Sequence, residues 1–293
     1  METEAGKESE PMAGSMLITG AGNGFGREVA LRLAERNHDV IAGVEVIAQV
    51  ADLRAEAASR GANLRVEKLD VTDPGDRAKA WSWDVDVLLH NAGTAEGGAV
   101  ADIPAEHLRR QFEVNTFGPV LLTQGFARAM AAKGSGRIVF MSSIAGVITD
   151  AFTGTYSASK HALEAFAEAL NQELAEFGVA IATVNPGPYL TGFNDTAMER
   201  WKEWRDDPSR RMFDYENLAF PREQFDPEPV FEKTIEVLTG GTDRYRNVVP
   251  AEMESPVRSQ QDAVWDRKQN DGTGTRGELV QQAYDTAPAT PAD

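Results

Sequence analysis

There is no cysteine in these 293 residues. That excludes a disulfide scaffold, a thiolate metal site and a cysteine nucleophile together. Histidine is scarce, and His38, His90, His107 and His161 are scattered; they read as structural or exposed, so no metal site is expected. Positive charge is short, with 29 Lys and Arg against 46 Asp and Glu, a formal charge of −17. A body this acidic repels phosphate backbones, and no local basic patch offsets it, so nucleic acid is not an expected partner. Apolar runs such as 85–89 fall far short of the ~20 residues that cross a bilayer, and no membrane partner is expected. The first fourteen residues hold Glu2, Glu4, Lys7, Glu8 and Glu10, without the basic start and apolar core of a secretory signal. The expectation is a soluble, cytoplasmic protein.

What is there is alternation. Short apolar runs at 16–19, 40–44, 64–70, 85–90, 137–142 and 179–185 read as strands. Between them, residues 24–37, 49–60, 74–80, 105–133 and 157–177 read as helical, the fourth with a bend at Gly118-Pro119. The strands are continuously apolar, as strands buried on both faces are. Such alternation predicts an α/β fold, a Rossmann-type doubly wound parallel sheet. The regular pattern breaks after Pro186. Residues 190–229 form a long, aromatic, poorly periodic stretch, followed by a helix at 229–238 and a strand at 245–249. The organisation expected is an acidic tail at 1–14, one domain at 15–267 with a substrate-loop insertion at 190–229, and a polar tail at 268–293.

The first strand runs into Gly20-Ala21-Gly22-Asn23-Gly24-Phe25-Gly26 and then a helix. Glycines there permit a tight turn and bring backbone N–H groups close to a diphosphate, which the helix dipole also favours. Glu45 follows the second strand, where a carboxylate can accept from both hydroxyls of an adenosine ribose and would repel a 2′-phosphate. It therefore favours NAD over NADP. Asp70, followed by Val71, ends the third strand and is placed for the adenine. Asn91-Ala92-Gly93 ends the fourth, with small residues that let the chain pass close to a cofactor.

Tyr156 and Lys160 share one helix face at i, i+4 spacing, and a neighbouring ammonium favours a phenolate. Ser143 ends the preceding strand thirteen residues upstream of Tyr156, and Asn115 lies within the long helical stretch before it. With these residues in order, the chain resembles the classical short-chain dehydrogenases/reductases over about residues 16–249. Its glycine signature runs from Thr19 to Gly26, the Asn-Ala-Gly element is preceded by His90 where Asn is more usual, and Pro186-Gly187 follows the sixth strand. The resemblance implies a catalytic set of Asn115, Ser143, Tyr156 and Lys160. Tyr156 would act as general acid or base, Lys160 would lower its pKa and hold the nicotinamide ribose, Ser143 would bind the substrate oxygen, and Asn115 would hold a proton-relay water. It places the cofactor on Gly20, Asn23, Gly24, Phe25, Gly26, Glu45, Asp70, Val71, Asn91, Ala92, Gly93, Tyr156, Lys160, Pro186, Gly187, Tyr189 and Thr191. The family's aspartate at the end of the second strand aligns with Val44, one residue before Glu45.

The function this implies is hydride transfer between NAD, or NADP as the second choice, and a secondary alcohol or ketone. Ser143, Thr94, Ile144, Phe152, Tyr156 and Phe193 are the expected substrate contacts, and the aromatic loop points to a medium-sized, apolar or cyclic molecule. The resemblance also implies a homodimer or homotetramer. Two alternatives share the fold: a sugar-nucleotide epimerase or dehydratase, which also uses Tyr and Lys at this spacing, and a catalytically silent dinucleotide sensor.

Overall fold

The computed structural model describes residues 14–286, so most of the acidic tail at 1–14 and the end of the polar tail lie outside it. Strands β1 (Met16–Ile18), β2 (Val40–Val44), β3 (Arg65–Lys68), β4 (Val87–His90), β5 (Gly136–Met141), β6 (Val179–Pro186) and β7 (Arg246–Val249) form one sheet in the order β3-β2-β1-β4-β5-β6-β7. Every pairing is parallel. The order reverses beside β1, where β2 lies on one side and β4 on the other. In doubly wound sheets that crevice, at the carboxyl ends of the strands, is where ligands bind.

Side chains alternate along each strand and so feed two cores. Ile18, Ala42, Leu89 and Val139 pack with α1 (Gly24–Glu35), α2 (Ala48–Ser59) and α8 (Glu228–Thr239). Leu17, Leu88, Ile138 and Phe140 pack on the opposite face with α3 (Pro74–Ala80), α5 (Gly118–Lys133) and α6 (Gly154–Glu173). Each fully buried Leu, Ile or Phe contributes about 1.5–3 kcal/mol relative to exposure. This two-sided burial explains why inner strands such as β1, β2 and β4 read as unbroken apolar runs, whereas at the sheet edge β3 buries only Val66. Helix α3 starts where Asp73 caps it, accepting from the Asp76 N–H at 2.8 Å, with Pro74 in the first turn where its missing N–H costs nothing.

Three segments differ from the sequence expectation. The single stretch at 105–133 is two helices, α4 (Ala105–Phe112) and α5, joined by a π-helical turn at Glu113–Phe117. The irregularity therefore precedes Gly118-Pro119, in keeping with a proline that has no N–H to offer the turn before it. The insertion at 190–229 contains α7 (Phe193–Glu199) and a core of its own, in which Met198, Trp204, Tyr215 and Leu218 are buried. The segment expected as a polar tail instead carries α10 (Glu278–Asp285), after α9 (Glu254–Asp266). Val280, Ala283 and Tyr284 lie three and four residues apart, so one face of α10 packs on the insertion core, where Ala283 is fully buried. No helix among the described residues is long and apolar enough to cross a membrane.

Candidate active site

The glycine turn is built for a ligand that needs backbone. Gly20 has φ +65, and a Cβ there would lie 2.6 Å from the Ala92 Cα. At Gly26 a Cβ would meet the Asn91 Nδ2 at 2.3 Å and the Gly20 carbonyl oxygen at 2.7 Å. Asn91 is why that space is closed: its amide donates to the carbonyls of Thr19 and Gly20, both at 3.1 Å, pinning the end of β4 to the turn. Thr19 Oγ1 accepts from the N–H groups of Asn91 and Ala92 at 3.0 and 3.1 Å. Asn23 stands at the N-cap of α1 without a side-chain capping bond, which leaves first-turn N–H groups for an anion. A dinucleotide diphosphate fits this cradle. Arg27 is not free to join it: its guanidinium donates to the Gly22 carbonyl at 3.0 Å and pairs with Glu56 at 2.5 Å.

One cleft of about 930 Å³ runs from this turn across the sheet crevice to the insertion. Lining this cleft are Glu45, Asp70, Val71 and, unanticipated from sequence, Gln49, Leu69 and Thr72. Glu45 is exposed on the cleft edge, whereas Val44 is fully buried and pairs with Lys68 in the sheet. Asp70 Oδ1 accepts from the Thr72 N–H at 2.8 Å and the Thr72 hydroxyl at 2.7 Å, which fixes the carboxylate's orientation. Gly22, Asn23, Gly24, Phe25, Asn91, Ala92 and Gly93 line the middle, and Pro186, Gly187, Tyr189 and Thr191 the far wall. Tyr189 is almost wholly buried. Its ring packs on Phe25 and Phe225 at 5.9 and 5.8 Å, so it acts as a wall beneath the turn more than as an exposed contact.

Ser143, Tyr156 and Lys160 converge at the other end of this cleft, with Asn115 behind them. The π-helical turn aims Asn115 inward, where it is fully buried. Its amide donates to the Thr94 carbonyl at 2.9 Å and the Ser159 hydroxyl at 3.1 Å, and its Oδ1 accepts from the Thr94 N–H at 2.8 Å. The side chain is thus committed to holding Thr94 and α6. Lys160 Nζ donates to the Met141 carbonyl at 2.8 Å and lies 5.8 Å from the Tyr156 ring centroid. Ser143 Oγ donates to the Pro186 carbonyl at 3.3 Å and accepts from the Ala145 N–H at 3.1 Å. Ser142 also reaches the cleft, but its buried hydroxyl has no partner among the described residues.

The electrostatics differ from the expectation of a phenolate drawn down by its lysine. Burial pushes the Tyr156 phenol up to about 12, opposed by its hydrogen bond with Ser143, and pushes Lys160 down to about 8, opposed by the charge of Glu164. Low polarity penalises both charged forms.

Near Tyr156 the cleft is also lined by Thr94, Ile144 and Phe193, whose ring meets Tyr156 edge-on at 5.9 Å. Phe152 is the exception among the expected contacts and is corrected here. Its φ is +62, it does not line the cleft, and its ring packs instead against Phe213 and Tyr284 at 5.1 and 6.5 Å. Sequence reading also missed the polar part of this wall. Arg222 pairs bidentately with Asp150 at 2.6 and 2.9 Å, and Arg200 and Thr153 line the same cleft. Only the fold brings these segments together, so no local pattern announced them.

The likenesses to known proteins agree with this geometry. The short chain dehydrogenase family matches residues 15–202. YusZ, an uncharacterized oxidoreductase of Bacillus subtilis, is 34% identical over 236 residues, 76% of this chain and 84% of that protein. Retinol dehydrogenase 8 of Bos taurus is 32% identical over 197 residues, 64% of this chain and 62% of that protein. A short-chain dehydrogenase structure from Streptomyces avermitilis superposes with a TM-score of 0.71 at 27% identity, covering 88% of this chain and 95% of that one. The chain belongs to the short-chain dehydrogenase family, oxidoreductases that work with NAD or NADP.

Proposed function

We propose that this chain interconverts a ketone and a secondary alcohol, with NAD preferred to NADP. The observation that carries the reading is the shared cleft: the glycine turn at one end, and Ser143, Tyr156 and Lys160 together at the other. The bound nicotinamide would supply or take up the hydride. Gly20, Asn23, Gly24, Phe25 and Gly26 would hold its diphosphate, and Asp70, Val71 and Glu45 its adenosine. Asn91, Ala92, Gly93, Pro186, Gly187, Tyr189 and Thr191 would form the walls around it.

Tyr156 transfers the proton at the substrate oxygen. A phenol held up at about 12 keeps that proton at neutral pH, the state that ketone reduction consumes. Ser143 donates to the same oxygen and stabilises the charge that grows on it. Lys160 stabilises the phenolate left behind and binds the nicotinamide ribose. Asn115 keeps Thr94 and α6 in register with the site.

Ile144, Ile148, Phe193 and Phe220 favour a medium-sized substrate with an apolar or cyclic body, while Arg200 and the Arg222–Asp150 pair leave room for a polar substituent. Phe117, Leu121 and Phe166 are exposed on the outer faces of the central helices, which suits a homodimer or homotetramer. The test is absorbance at 340 nm with each cofactor against cyclic, aromatic, steroid and terpenoid ketones and alcohols. Turnover with at least one class is expected. Tight cofactor binding with flat traces for every class would favour the silent sensor instead.

A further inference from the structure

A buried carboxylate ties four parts of the site together. Glu164 lies one turn beyond Lys160 on α6 and is 5% exposed. Its Oε1 accepts from Asn185 Nδ2 on β6 at 2.6 Å, and its Oε2 from Arg246 Nη2 on β7 at 2.8 Å. The same Asn185 amide donates to the Ser143 carbonyl at 3.1 Å, and Asn185 Oδ1 accepts from Thr183 Oγ1 at 2.8 Å. A chain of direct hydrogen bonds therefore runs from the Tyr156–Lys160 helix, through Glu164 and Asn185, to the backbone of Ser143. Gly146 leaves the room for it, since a Cβ there would lie 3.0 Å from Glu164 Cγ and 3.2 Å from the Lys160 carbonyl oxygen.

Burying a carboxylate costs more than its pairing with one arginine commonly returns, so packing alone gives little reason for an acid here. We propose that Glu164 is a positioning residue for the reaction, fixing the helix face that carries Tyr156 and Lys160 against the turn that carries Ser143. The proposal rests on those three residues being the reacting set. The charged and titratable groups around Glu164 are Lys160 and, one turn on, Glu168 on its own helix, and Arg246 with Tyr245 from the β7 side. Its negative charge favours the Lys160 ammonium against the burial that opposes it.

Glu164→Gln keeps the shape and removes the charge, and Arg246→Gln removes the positive charge from the same carboxylate. Four quantities are measured: the melting temperature, cofactor affinity, kcat and KM across pH, and the Lys160 titration in the cofactor-free chain by NMR of lysine labelled at Cε. Glu164→Gln is expected to keep cofactor affinity and KM within about threefold while kcat falls about tenfold or more. The Lys160 midpoint and the alkaline limb of the rate profile should move down by about one pH unit. Arg246→Gln should move the midpoint up. A Glu164→Gln protein with wild-type kcat and an unmoved Lys160 overturns the proposal, as does a kcat loss matched by equal loss of cofactor binding. Should Glu164→Gln fail to fold, an unmoved or lowered Lys160 midpoint in Arg246→Gln overturns it. A wild type inactive on every ketone, with the two opposite Lys160 shifts still seen, would instead count against the ketone reading.

Discussion

His90 stands at the end of β4 in a place where a charge has nothing to meet. It is 2% exposed and stacks on Phe140 at 4.9 Å, and its Nε2 meets the Thr123 hydroxyl at 2.7 Å while Nδ1 has no partner among the described residues. Burial holds its pKa down to about 3 from an ordinary 6.5. As pH falls below 6.5 the unfolded chain takes up a proton that the folded chain refuses, so stability is lost through that window, at about 1.4 kcal/mol per pH unit for this one group. Replacing the imidazole by His90→Asn should make the decline between pH 6 and 4 shallower by about one proton. Urea unfolding at a series of pH values checks this, and equal slopes for both proteins would refute it. At this scale the sequence was legible where chemistry needs fixed spacing, as with Tyr156 and Lys160 on one helix face. It was not legible where a ring packs on a core assembled from distant segments, as Phe152 does on Phe213 and Tyr284, or where burial reverses an electrostatic expectation, as for the Tyr156 phenol.

Elements with two buried faces or strong turn chemistry were read closely. Strand β2 and helix α3 fall at the residues expected, because continuous apolar residues mark the one and Asp73-Pro74 opens the other. Helix α10 was missed because its two turns are set in Gly- and Thr-rich surroundings, and its apolar face has meaning only against a core made elsewhere. That core belongs to the insertion: Ala219 N–H donates to the Ala283 carbonyl at 2.9 Å, and Tyr284 packs on Phe152. Helix α10 therefore braces the insertion core, which on the proposed reading backs the substrate wall. Ala283→Asp would bury a carboxylate with no partner and should cost at least about 2 kcal/mol at this site. Its KM for a bulky ketone should rise several-fold while cofactor affinity stays near wild type. Unchanged KM with intact folding would show that α10 does not support the wall.

Across the whole molecule, the fold and the cleft were foreseeable from strand–helix alternation and from motifs that sit at strand ends. The polar part of the cleft wall was not, since Asp150, Arg200 and Arg222 come to line one cleft only through the fold. Charge also acts at this scale. A chain at −17 would disfavour an additional phosphate, and on the proposed reading Glu45 on the cleft edge would add its own repulsion at the ribose. The wild type should prefer NAD by about tenfold or more in kcat/KM. Glu45→Arg should narrow or reverse that preference, since a guanidinium can grip the 2′-phosphate bidentately. Equal use of both cofactors by the wild type, or no shift in the variant, would show that Glu45 does not read the ribose.

The central claim is that the phenol of Tyr156 moves the proton while the rest of the cleft holds the cofactor. Tyr156→Phe separates the two, since it removes the hydroxyl and leaves the ring against Phe193. The direct measurement is paired: cofactor affinity by fluorescence titration, and ketone turnover at 340 nm, for wild type and Tyr156→Phe side by side. Affinity is expected within about threefold of wild type and turnover lower by about a thousandfold or more, the scale of a lost general acid. Turnover within tenfold of wild type would contradict it and place the proton donor elsewhere.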